Sequence, residues 1–403
     1  MSRGHGVPRL RQLANGRAGE YLPKSALVSL FVEGQARGAL ARALLPRTTR
    51  FIPPSQEDVV TIAIRLFALI LLALTLAPGL ARAQGAIEQK EIEIAAVRDP
   101  QLGSQVAIAD AFGYFKEVGL TVNVRWQQSA ADVITLMAGG NQNLGTGGTF
   151  TQIVLGGQKL PVHSICALAD IAGTQGFVLS PGVKLGHPRE LEGKKLAFTQ
   201  GNSQVLILAK LAKIYGFDAS KVTLVNMQPS EGVVAASKGD VQGLLGWQPN
   251  LFRLVKMGGT MYVTGTTSFI GGKPEPYAAT DKLQFNHSVL MASDAWIKDK
   301  PNTLKAVLRA LLKANDLMVK DRPKALEALV SQLRIDRDAI EVMTDQNKYS
   351  LALTDDVANS IRFQSDWALG INRIQGPVAP EDILAPKLLA EIDPKLVTWK
   401  PKR

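Results

Sequence analysis

Four short stretches combine glycine, hydroxyl and amide side chains in a way suited to holding a small polar molecule. They are residues 98–101, 127–129, 147–149 and 200–203. Each follows an apolar run and precedes a helical pattern, so each falls where a strand ends and a helix begins. Backbone N–H groups at a helix start lack intrahelical acceptors and carry partial positive charge. With Ser129, Thr149, Asn202 or Ser203 beside them, two such ends facing across a cleft could hold a nitrate, sulfonate or carboxylate without a full cation. Glycine at 147 and 148 would let the ligand approach the backbone closely. Arg98 is the candidate counter-charge, and Gln101, Gln128 and Gly148 join it from these segments; Trp247, a candidate aromatic wall, and Gln175, ahead of a later strand, complete the set. Plainer readings stand beside each. Gly147-Gly148 serves equally as a turn, Asn202 and Ser203 as helix caps, Trp247 as packing, Arg98 as a surface ion pair and Gln175 as a loop end.

The elements that must position these residues alternate between strand and helix. EIEIAAV (91–97), LTVNVRW (120–126), VHSICAL (162–168) and FVLS (177–180) read as strands. Between them, residues 106–119 place Val106, Ala109, Phe112 and Phe115 on one helical face, and Ser129 caps a helix over 130–140. A second series follows: KKLAF (194–198), a long apolar helix over 205–216, VTLVNM (222–227), a helix around 233–237 and LLGW (244–247). SVLMAS (288–293) reads as a strand returning the chain to a first domain formed by the earlier strands, and the remainder is helical, beginning with TLKAVLRALLKANDLMV. Strands separated by single helices predict an α/β fold with parallel or mixed sheets and helices on both faces.

Charge and cysteine usage exclude several classes. The chain of 403 residues carries 46 basic and 35 acidic side chains. Residues 66–77, LFALILLALTLA, have the form of a secretory signal core, flanked by Arg65 and followed by the small residues Ala81 and Ala83. The run is shorter than the roughly 20 apolar residues a span requires. It predicts a signal peptide over 59–83, cleaved after Ala83, with 1–58 as a mis-called start or an extension. Residues 1–83 hold 11 basic and 4 acidic side chains, so 35 and 31 remain in the exported part, a balance of +4. Basicity is then no argument for nucleic-acid binding. Cys166 is the only cysteine, so an exported chain has no disulfide framework. Cys166, His163, His187 and His287 form neither a zinc spacing nor a nucleophile–base pair, and Ser203 does not lie in a G-x-S-x-G elbow. No cofactor and no metal is expected.

The order of fragments resembles the periplasmic solute-binding proteins of ABC importers, in the nitrate/sulfonate/taurine branch. The residues that carry the resemblance are VRDPQLGSQVAIADAFGYFKEVGLTV, SAADVITLMAGGNQNLGTGGT, ELEGKKLAFTQGNS, KGDVQGLLGWQPN and SVLMASDAWIKDKPNTLKAVLRALLKA, spanning roughly 90–385. It implies a type II binding-protein fold, two α/β lobes joined by two crossing strands near 177–180 and 288–293. Lobe 1 is then 84–178 with 289–403, and lobe 2 is 179–288. The implied role is non-enzymatic: a monomer captures a small-molecule ligand in the periplasm by hinge closure. It then delivers the ligand to an inner-membrane permease driven by a cytoplasmic ATPase. Gln248 joins the candidate site through WQPN, where many relatives carry a Trp/Ala-Glu-Pro segment. Glutamine there removes a negative charge and argues against an amine-bearing ligand. The alternative is a pyrimidine-precursor or menaquinone-pathway enzyme on the same fold; those are cytoplasmic, which the signal segment opposes.

Overall fold

The computed structural model describes residues 85–200, 202–278 and 281–401. The segment 1–83, with its signal core and cleavage position, lies outside the described residues. The chain begins with strand β1 (Glu91–Val97), helices α1 (Ser104–Ala111) and α2 (Tyr114–Glu117), β2 (Thr121–Gln127) and α3 (Ala130–Ala138). The single helix expected over 106–119 is broken. Gly113 takes a left-handed conformation (φ 70°) between α1 and α2, so Phe112 and Phe115 do not share one continuous face. Then come β3 (Leu144–Gly148), α4 (Thr149–Gly157) and β4 (Val162–Asp170).

A second group follows, with β5 (Gln175–Leu179), β6 (Lys195–Phe198), α5 (Val205–Tyr215), β7 (Thr223–Asn226) and α6 (Pro229–Lys238). β8 (Gly243–Trp247), α7 (Asn250–Lys256), β9 (Thr260–Thr264) and the short β10 (Thr267–Ser268) and β11 (Glu275–Pro276) complete it. β12 (His287–Ser293), α8 (Asp294–Asp299), α9 (Pro301–Lys320), α10 (Arg322–Leu333) and α11 (Arg337–Gln346) lead to β13 (Lys348–Tyr349) and α12 (Asp355–Gly370).

Two mixed sheets result. The first has the order β13-β4-β12-β3-β1-β2, with β1 parallel to β2 and β3 and with β12 antiparallel to β3 and β4. The second has the order β11-β10-β9-β5-β8-β6-β7, with β6 parallel to β7 and β8 and with β5 antiparallel to β8 and β9. Alternation along the strands explains why both faces are covered. On β1, Ile94 and Ala96 enter one apolar cluster, whereas Ala95 and Val97 enter another. Phe177 and Leu179 of β5 are divided from Val178 in the same way. Each large side chain buried fully, such as Ile94 or Phe177, contributes about 1.5–3 kcal/mol relative to exposure. On α9, Leu304, Val307, Leu308, Leu311, Ala314 and Met318 form the buried stripe that seats this helix on α1.

The chain passes between the sheets earlier than the sequence suggests. β5 pairs wholly within the second sheet and β12 wholly within the first, so 177–180 and 288–293 are interior strands of one sheet each. The passages are 171–174 and 283–286. They are tied together by the Ile171 N–H, which donates to the Asn286 carbonyl at 2.9 Å.

Candidate functional site

The carboxyl end of β1 turns sharply through Asp99. Its Oδ1 accepts the N–H groups of Gln101 and Leu102, each at 2.9 Å, and its carbonyl accepts the Gly103 N–H at 2.9 Å. Gly103 cannot be replaced without a shift, since a Cβ there would lie 2.3 Å from the Val97 carbonyl oxygen. After β2, Ser129 and Asp132 form a reciprocal capping box that starts α3. After β3, the Gly148 N–H donates to Thr151 Oγ1 at 3.2 Å as α4 begins. In the second sheet, β6 leads through residues 202–204 into α5, and β8 ends at Trp247. The ends of β1, β3, β6 and β8 thus converge on one space between the sheets, where open α/β folds hold ligands.

That space is a chamber of ≈ 50 Å³. Val97, Leu102, Ile134, Phe150, Ile171 and Trp247 supply its apolar surface. Asp99, Gln101, Ser129, Thr151, Gln175, Asn202, Ser203, Gln204 and Asn286 supply the polar groups. The first turns of α3 and α4 face it through Ala130, Ala131, Phe150 and Thr151, and the residues opening α5 face it from the other side. A larger groove of ≈ 700 Å³ adjoins it, shares Asp99, Ser129 and Trp247, and is bordered by Arg98, Gln128, Arg253 and Arg334.

Buried amides floor the chamber and link the two sheets. Gln101 Oε1 accepts from Thr174 Oγ1 at 2.6 Å and from Gln175 Nε2 at 2.7 Å, and Gln101 Nε2 donates to the Gln248 carbonyl at 2.8 Å. Gln204 Nε2 donates in turn to Gln175 Oε1. Asn286 bridges in a second place: its Oδ1 accepts from Thr149 Oγ1 at 3.0 Å and its Nδ2 donates to Ser203 Oγ at 3.4 Å.

Of the residues selected from sequence, Gln101, Ser129, Gly148, Gln175, Asn202, Ser203 and Trp247 line the chamber. Arg98 and Gln128 face only the outer groove. Arg98 stacks over Trp126 at 5.3 Å and reaches the Gln332 carbonyl at 3.5 Å; burial, and then the like charge of Arg334, lower its pKa. Thr149 lies outside because its buried hydroxyl is engaged by Gln364 Oε1 at 2.9 Å as well as by Asn286. Gln248 also lies outside: its Oε1 accepts the Phe252 N–H at 2.9 Å, where it helps start α7. The charge argument drawn from that position therefore fails. The acid of the chamber is Asp99, 5% exposed, and burial pushes its carboxyl up to about 6 despite the N–H bonds from Leu102 and Gln101. Asp99 was within reach of sequence reasoning, since it lies in the 98–101 segment, but an aspartate after a strand reads as a turn residue. Asn286 carried no local signal; only the return passage brings it here.

A family model described as NMT1/THI5 like matches residues 104–325, more than half of the chain. The chain belongs to the NMT1/THI5-like family. The chain is 27% identical over 155 residues to the taurine-binding periplasmic protein of Escherichia coli (strain K12), covering 38% of this chain and 48% of that protein. It is also 27% identical over 141 residues to the 4-amino-5-hydroxymethyl-2-methylpyrimidine phosphate synthase of Aspergillus parasiticus, covering 34% and 40%. The matches thus span less than half the length of both curated relatives. Among solved structures, the alkanesulfonate-binding protein SsuA from Xanthomonas axonopodis pv. citri, bound to MOPS, superposes with a TM-score of 0.62 at 13% identity, covering 74% of this chain and 99% of that one. That likeness establishes the type II periplasmic binding protein fold.

Proposed function

We propose that this protein is the solute-binding component of an ABC importer, and that it captures a small solute bearing an oxyanion, a sulfonate first among them. The observation that carries this reading is the chamber itself. It lies between the two sheets, and the starts of α3, α4 and α5 converge on it. An anionic group resting on those starts would meet backbone N–H donors and the positive ends of helix dipoles. Trp247 and Phe150 would enclose the rest of the solute. The taurine-binding relative and the sulfonate-binding structural neighbour support the same class.

In this reading the passages at 171–174 and 283–286 act as a hinge, and the solute draws the two sheets together around the chamber. Lobe 1 in this reading is 84–170 with 287–403, beside the 84–178 with 289–403 drawn from sequence. The chain is exported with cleavage after Ala83, acts as a monomer in the periplasm, and hands its solute to an inner-membrane permease driven by a cytoplasmic ATPase. The second reading, an enzyme of pyrimidine-precursor type, rests on the Aspergillus relative. Against it stands the chamber's chemistry. Among the described residues no cysteine or histidine lines it, and Ser203 Oγ is held by Gln284 Nε2 at 2.8 Å rather than by a base.

Native mass spectrometry of the exported protein, isolated without unfolding, tests the proposal. The expected result is one low-mass solute per chain, released unchanged on denaturation. A recovered solute that is chemically altered by the protein would refute the transport role.

A further inference from the structure

Resting on that reading, we propose that the solute carries an ammonium or another N–H donor beside its anionic group, and that Asp99 is the residue that selects it. The class is a small zwitterion such as an aminosulfonate or a β-amino acid. Asp99 is 95% buried and lines the chamber, yet no ion pair or hydrogen bond engages its Oδ2 among the described residues. Oδ1 accepts both backbone N–H bonds of the turn. An asparagine would accept the same two bonds without a charge, so the turn does not explain the carboxylate. Burial of an uncompensated carboxylate is unfavourable, and this one is pushed up to about 6 by burial.

The surroundings narrow what compensates it. Among the described residues no lysine or arginine lines the chamber, and the neighbouring Arg98 turns away to Trp126 and the outer groove. A solute with only an oxyanion would place a second negative charge a few ångströms from Asp99, where little water screens it. A zwitterion removes that conflict. Its anionic end rests on the starts of α3 and α4, and its ammonium meets Asp99 Oδ2, which has both a negative charge and a free acceptor site.

Isothermal titration calorimetry at pH 7.5, with ligand-stripped protein, tests this with matched probes. Taurine is compared with ethanesulfonate, which lacks the ammonium, and β-alanine with propionate. The expected result is at least one amine-bearing probe binding about 10- to 100-fold tighter than its partner, the difference a charge-assisted hydrogen bond supplies. Asp99→Asn should lose a similar factor for that probe and little for its amine-free partner. If Asp99→Asn does not fold, the probe pairs on the unaltered protein carry the test. Binding of ethanesulfonate or propionate as tightly as its amine-bearing partner, or unchanged amine-probe affinity in folded Asp99→Asn, overturns the role of Asp99 and leaves the importer reading intact. Silence from all four probes overturns this solute class and leaves the importer reading intact.

Discussion

Replacing Asp99 with asparagine should stabilise the ligand-free protein at neutral pH. The variant keeps an acceptor for the Gln101 and Leu102 N–H groups, so the turn after β1 is retained. What it removes is a buried negative charge. The folded-state pKa of about 6 lies above the ordinary 3.8, a rise of about 2 units. At 1.36 kcal/mol per unit, the folded state at pH 7.5 carries a penalty of about 3 kcal/mol that asparagine lacks. Between pH 4 and 6 the folded protein holds the proton more tightly than the unfolded chain, so its stability falls as pH rises through that window. The variant's advantage should therefore be complete above pH 6 and vanish below about 4. For about 320 residues, 3 kcal/mol corresponds to a rise in Tm of roughly 4 °C. Differential scanning calorimetry of stripped protein at pH 7.5 and pH 4 measures it. A variant that is no more stable at pH 7.5, or equally advantaged at pH 4, would show that Asp99 is not an uncompensated charge.

Other outcomes follow from the same geometry. Trp247→Ala should weaken solute binding by about 10-fold or more while the protein stays folded, as titration and circular dichroism would show, because Trp247 walls the chamber from a strand end and is not part of a core cluster. Gln101→Ala should lower stability by about 1–3 kcal/mol in denaturant titrations, since it removes the buried partner of Gln175 Nε2 and of the Gln248 carbonyl. Cys166, fully buried in β4 and pushed up to about 12 by burial, should resist a thiol reagent until the protein is unfolded; rapid labelling of the native state would contradict the packing of the first sheet. N-terminal sequencing of exported protein should begin at Gln84, and a start retaining residues 60–80 would indicate an anchor instead.

The strand–helix order was legible because periodicity in this chain is strong. EIEIAAV, LLGW and SVLMAS all form strands within a residue or two of the expected limits, and Ser129 caps its helix through the expected side chain. The family-like order of fragments also located the strand ends, so seven of the eleven candidate residues do line the chamber. What was not legible depends on orientation. Arg98 and Asp99 are adjacent, yet the turn sends one side chain to the outer groove and the other inward. Thr149 and Gln248 sit at the right strand ends, but neighbours distant in sequence, Gln364 for one and Gln346 for the other, engage their polar atoms. No local pattern records such pairings. The same limit explains the misplaced passages, because β5 and β12 look like connecting strands until their pairing is known.

The most direct measurement is a thermal-shift panel on the exported protein after its carried-over solute has been stripped by unfolding and refolding. The panel should hold nitrate, taurine, alkanesulfonates, bicarbonate, aromatic carboxylates and pyrimidine precursors. A solute at about a thousand times its dissociation constant adds about 4 kcal/mol to the native state, a shift of several degrees. Such a shift is expected with a sulfonate, taurine foremost, and a Trp247→Ala variant binding about tenfold more weakly should show it cut by about a third. A flat response from well-folded protein to every sulfonate, carboxylate and nitrate in the panel would contradict the oxyanion reading.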